Sequence, residues 1–118
     1  LEVPDRVQGA SLVGRIRGSA EMGKQEIHYE KDFRHVPGVD PDASLLWVVR
    51  DDSYKYVQFA DASMPPLLFD LEKDPGELNN LAESGEHTEV LLDFCQRLLR
   101  WRMKNEDQRM EHWASQFK

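Results

Sequence analysis

Four histidines, His28, His35, His87 and His112, are the side chains here best suited to bind a metal or to move a proton near neutral pH. A metal held from one helix face needs ligands three or four residues apart, and no two of the four have that spacing. His28 and His35 stand in or beside a strand-like run, where a histidine packs or sits at the surface. The aspartates Asp40 and Asp42 flank Pro41, and Asp51-Asp52-Ser53 separates two apolar runs. Turn chemistry accounts for both groups, since an Asp side chain accepts bonds from nearby backbone amides. Neither follows the twelve-residue pattern of a calcium loop. Gly9, Gly14 and Gly18 match neither glycine fingerprint for phosphate binding.

A nucleophile is equally hard to find. Ser11 lies in Gly9-Ala10-Ser11-Leu12-Val13-Gly14, one residue too long for a Gly-x-Ser-x-Gly elbow, which also requires a strand before it and a helix after it. Cys95 falls in an apolar helical stripe, and the expectation is a small buried hydrophobe. Arg97, Arg100, Arg102 and Lys104 are interleaved with acids and read as a solvated helix face. No set of acid, base and nucleophile emerges, so the chain is read as non-catalytic by itself, with no metal ligands of its own.

The elements that would position any site are clearer. The chain has 118 residues, 40% hydrophobic and 31% charged, enough for one modest core. Its net charge of −7 argues against a nucleic-acid surface, and no apolar run approaches a membrane span. A single cysteine excludes an internal disulfide and is compatible with a reducing compartment; cytoplasmic and periplasmic settings both fit a soluble chain. Residues 1–23 are rich in glycine and proline and read as a connector; residues 24–118 read as one α+β unit. The chain opens on Leu1 rather than a start methionine, which fits a piece of something longer.

Within 24–118, the run around Ile27, Tyr29 and Phe33 reads as a strand. Leu45–Arg50 and Tyr54–Phe59 read as two more, joined by the Asp51-Asp52-Ser53 turn. Pro65-Pro66 delivers another over Leu67–Leu71, with Leu67, Phe69 and Leu71 on one face. Asp74-Pro75-Gly76-Glu77 has the marks of a helix start, with Asp74 as N-cap and Glu77 reaching back, a short helix stopping at Asn79-Asn80, and Leu78 and Leu81 folding back as apolar pegs. From Thr88 to Phe117 a long helix follows, whose Val90, Leu91, Phe94, Cys95, Leu98 and Trp101 form a wide buried face. The fold class is α+β: a small antiparallel sheet of three to four strands covered by one long C-terminal helix.

Several motifs then add up. Lys55-Tyr56, Leu68-Phe69-Asp70-Leu71, Asp74-Pro75-Gly76-Glu77 and Asn80-Leu81 occur in the order and spacing of the C-terminal subdomain of sulfatases and phosphonate monoester hydrolases, of the alkaline phosphatase superfamily, which this chain resembles. Residues 3–12 resemble the segment that closes the catalytic domain of such proteins, although Gly14-Arg15 replaces the proline common after Ser-Leu. Residues 28–36 and 97–103 resemble the phosphonate monoester hydrolase branch.

The resemblance implies that catalysis resides in a missing N-terminal α/β domain, with a divalent metal such as calcium or manganese and a nucleophile in a Cys/Ser-x-Pro-x-Arg motif. That motif has no match here: Cys95 is followed by Gln96-Arg97. No catalytic residue is therefore carried over. The chain is expected to be the non-catalytic part of a hydrolase of sulfate, phosphate or phosphonate esters, with Asp74, Pro75, Glu77 and Asn80 as a structural motif. A freestanding α+β interaction module is the alternative. Arg34 and His35 are the residues best suited to approach an anionic ester. Their competing role is to pair with acids such as Asp32.

Beyond Lys104 only Met110, Trp113 and Phe117 remain apolar, on a helix that would run about 45 Å if straight. They are expected to dock on the parent catalytic domain or on a neighbouring subunit, making a homo-oligomer through the C-terminal helix. Together with Leu92, Leu99 and Met103 they form a second stripe, which Gln96 and Glu106 interrupt, against a long coiled coil.

Overall fold

The computed structural model describes residues 11–18 and 25–105. A single helical turn, α1 (Val13–Ile16), precedes four strands: β1 (Ile27–Asp32), β2 (Leu45–Arg50), β3 (Tyr54–Phe59) and β4 (Leu67–Asp70). A 3-10 turn at Gly85–His87 then leads directly into α2, Thr88–Asn105. The strands form one antiparallel meander in the order β1-β2-β3-β4. The α+β expectation holds, with four strands and one long helix.

Local chemistry fixes the central hairpin. Asp51 Oδ1 accepts the amides of Ser53 (2.9 Å) and Tyr54 (2.8 Å), closing the turn. The register then sets His28 opposite Val49, Val49 opposite Tyr56 and Tyr56 opposite Leu68, one transverse row across all four strands. The α2 helix lies over this face. Val49, Tyr56, Leu68, Phe94 and Leu98 form the core cluster, with Trp47, Tyr54, Leu81, Val90, Leu91 and Trp101 packed around it. Burial pushes the Tyr56 phenol pKa up, with Cys95 nearby adding to the effect. Because side chains alternate, the opposite face carries a second apolar set, including buried Val48, Val57 and Phe69.

The connection from β1 to β2 is a series of turns. Val36 N donates to Phe33 O (2.8 Å), and Phe33 N donates to Ser44 O (2.9 Å), so the loop's ends are tied. Gly38 sits at φ +85, a conformation that costs a glycine little.

Four expectations need correction. No helix starts at Asp74: residues 71–84 are turns and irregular backbone, and Glu77 has φ 54, a left-handed conformation that interrupts a helix. Leu78 is 84% exposed and is no peg, whereas Leu81 does pack on the core. Cys95 is exposed, because the sheet covers only the arc of α2 centred on Phe94 and Leu98. In β4 it is Leu68 that lies fully buried beneath the helix, while Leu71 falls in the following turn. The part of the expected helix beyond Asn105, with Met110, Trp113 and Phe117, lies outside the described residues. Among the described residues no helix is long and apolar enough to cross a membrane.

Candidate functional site

Arg34 and His35 lie in the loop after β1, both exposed. The Asp32 carboxylate accepts from the Arg34 backbone amide (2.8 Å), from Nε (3.0 and 2.9 Å) and from Nη2 (2.6 Å). The Arg34 side-chain and backbone bonds draw the Asp32 carboxyl down to about 2. The same contact raises Arg34 further above its ordinary value. The guanidinium is thus held in a fork by its own loop, with Nη1 outside these bonds.

Asp74, Pro75, Glu77 and Asn80 come together as a clasp on the outer edge of β4. Asp74 O accepts from Glu77 N (3.0 Å), making a Pro75-Gly76 β-turn. Asp74 Oδ2 reaches past that turn to the amides of Leu78 (2.8 Å) and Asn79 (2.7 Å). It therefore organises the turn's exit rather than capping a helix. Glu77 pairs across the sheet edge with Lys55, whose ammonium also lies over the Phe69 ring. Asn80 Oδ1 accepts the amides of Leu68 (2.9 Å) and Ala82 (3.1 Å), while its Nδ2 donates to Pro66 O (3.2 Å). Leu81 N then donates to Leu68 O (2.8 Å). Buried Asp70 adds a second fold-back: its Oδ1 accepts from Lys73 N and Glu72 N, which hold the carboxyl below its usual range. Asp74→Ala should cost about 1–2 kcal/mol, the worth of a carboxylate accepting two amides. Chemical denaturation midpoints measure it; an unchanged midpoint would show that the clasp holds without Asp74.

Sequence reasoning placed Arg97 on a solvated face, and the structure corrects this. Its side chain is 21% exposed and joins three acids from three parts of the chain: Glu26 before β1 (2.6 Å), Asp51 in the hairpin turn (3.0 Å) and Asp93 one turn back on α2 (3.4 Å). Its guanidinium also lies 4.1 Å from the centre of the Phe94 ring. Burial alone would push Glu26 up, but bonds from His28 and Arg97 outweigh it and hold the carboxyl below its usual value. Asp51 follows the same balance, lowered by its turn amides and by Arg97. His28 completes the cluster: Nε2 donates to Glu26 Oε1 (2.8 Å), and the ring stacks on Trp101 at 4.7 Å between centroids. Only the Asp93–Arg97 spacing was a sequence signal for this cluster.

The cluster is a brace, with its cation and anions already satisfied by one another. Among the described residues no group of three His, Cys, Asp or Glu side chains is placed to hold a metal ion. The divalent metal that the resemblance implies thus finds no fitting donor set in these residues. Among the described residues no histidine or carboxylate is hydrogen-bonded to Cys95, which is exposed on α2.

The model of the N-sulphoglucosamine sulphohydrolase C-terminal family matches residues 1–104. The chain is 37% identical to the multifunctional alkaline phosphatase superfamily protein PehA of Trinickia caryophylli, covering 97% of this chain and 24% of that protein. It is 34% identical to arylsulfatase K of Xenopus laevis, covering 83% of this chain and 18% of that one. In structure it is similar to the phosphonate monoester hydrolase of Agrobacterium radiobacter, with TM-score 0.72 and 37% identity over 85% of this chain and 21% of that chain. The chain spans at most about a quarter of the length of these relatives.

Proposed function

Since the chain belongs to the N-sulphoglucosamine sulphohydrolase C-terminal family, we propose that it serves a larger metal-dependent ester hydrolase as its non-catalytic C-terminal domain, acting with an N-terminal catalytic domain on sulfate, phosphate or phosphonate esters. One observation carries this reading: a family match over residues 1–104 coincides with a fold in which Arg97, Glu26, Asp51 and Asp74 are engaged in bracing. In the whole protein, residues 1–23 act as the connector and a divalent cation such as calcium or manganese sits in the catalytic domain. The 118-residue chain alone is expected to be inert toward aryl sulfates and phosphonate monoesters with either cation. The full-length protein is expected to hydrolyse at least one of these classes and to lose that activity to a chelator. Turnover by the isolated chain that disappears on changing His28 or His35 would sink this assignment.

The loop that carries Arg34 and His35 is the part of this domain we assign to the substrate cleft. Its support is chemical: Arg34 Nε and Nη2 donate to Asp32 while Nη1 stays outside those bonds. In the full-length enzyme Arg34→Ala should raise KM for an anionic ester by about tenfold, one charge-assisted hydrogen bond's worth, with little change in kcat. A KM unchanged for every ester would remove Arg34 from the cleft. Met110, Trp113 and Phe117 are proposed to dock on the catalytic domain or on a neighbouring subunit, so that the C-terminal helix assembles protomers.

A further inference from the structure

The outward face of α2 is apolar where a surface helix is ordinarily polar. Leu92, Leu99 and Met103 are 56%, 59% and 69% exposed. At 100° per residue these three and Gln96 share one narrow stripe, on the side of the helix opposite buried Phe94 and Leu98. Their steps of four, three and four residues are those of a helix-pairing seam, with Gln96 as a polar position within it.

The charges beside the stripe choose its occupant. One flank carries Glu89 and Asp93 in the first half of the helix and Arg100 and Lys104 in the second. A parallel copy would set this flank against the opposite one, where Thr88, Cys95 and Arg102 stand, and leave its acids and bases without opposite-charge partners. An antiparallel copy sets Asp93 against Arg100 and Glu89 against Lys104, both pairs twice over. A register two residues away brings Leu92 opposite Met103 and Gln96 opposite Leu99, so seam and flank agree to within about two residues, or about 3 Å along the axis. Asp93 is accessible for this, at 58% exposure, although it also touches Arg97 within its own helix.

We infer that α2 pairs antiparallel with α2 of a second copy of this chain, through Leu92, Gln96, Leu99 and Met103, with the Asp93–Arg100 pairs fixing direction. This rests on the reading that the C-terminal helix assembles protomers, and it places the contact on the described turns of the helix rather than on its end.

The test is the solution mass of the full-length protein by light scattering and sedimentation. Leu99→Glu should halve the mass at micromolar concentration while hydrolytic activity persists. Asp93→Arg and Arg100→Asp should each weaken assembly, and an equimolar mixture of the two should restore it, because only the mixed pair matches opposite charges at both contacts. Unchanged mass in Leu99→Glu overturns the proposal, whether or not the melting temperature falls. If the mass instead drops only when residues 106–118 are removed, protomers assemble through that segment, and the antiparallel seam alone is refuted. A monomeric wild type would refute both.

Discussion

Phe94→Ala should lower the unfolding free energy by about 3–5 kcal/mol, the range for deleting a buried aromatic ring. Phe94 is 2% exposed and closes the sheet face above Val49, Tyr56 and Leu68. Its ring meets Tyr54 edge to face at 6.0 Å and supports the Arg97 guanidinium on its other contacts. Truncation would therefore open a cavity and also remove the surface against which the ionic brace rests. Phe94→Leu keeps most of the volume and should cost much less. Urea titration followed by Trp fluorescence measures both. A loss below about 1 kcal/mol for Phe94→Ala would mean that α2 contributes little to closing this face.

Arg97→Met should be the second large effect, at about 2 kcal/mol. Breaking a fully buried ion pair costs about 3–5 kcal/mol, and the figure is reduced here because Glu26 and Asp51 keep 34% and 24% of their side-chain exposure. Methionine retains the stem over Phe94, so the loss reports on charge. The pH dependence has a definite sign. Glu26 and Asp51 are held below their ordinary values of 4.5 and 3.8 when folded, so the unfolded chain binds protons first. Their contribution is fully present above the ordinary values and is lost as pH falls through the lowered folded values. The stability difference between wild type and Arg97→Met should thus be constant near neutrality and shrink below about pH 4. A difference that grew on acidification would contradict the assigned pairing.

Much of this architecture could be read from the amino acids. β2 and β3 have the expected bounds because two apolar runs flank the turn at Asp51, whose side chain closes it with purely local bonds. The start of α2 at Thr88 was legible for the same reason. The clasp was not. Asp-Pro-Gly-Glu fits both a helix cap and a β-turn, and what decides between them is distant in sequence: Lys55 for Glu77, and the Leu68 amide for Asn80. Arg97 failed similarly, since its partners Glu26 and Asp51 stand 71 and 46 positions away. Cys95 was misplaced because helical periodicity gives an angle around the helix but not the width of the surface beneath it. Arg34 and Asp32, two residues apart, form a contact that proximity alone anticipates.

A sheet of four strands has two borders, and a border is where a β-protein recruits unwanted partners, up to fibrils. On β4 the chain has closed that opening with its own backbone and side chains. The amide of Leu68 is taken by Asn80 and its carbonyl by Leu81. A foreign strand approaching there would have to displace a loop anchored by Asp74 and Glu77 before it could form its first ladder bond. The Asp-Pro-x-Glu and Asn-Leu signature thus occupies the outer edge of β4, and its removal would leave that edge open to another strand. On that account, Asn80→Ala should cost the folded state modestly and the refolding yield at high protein concentration far more.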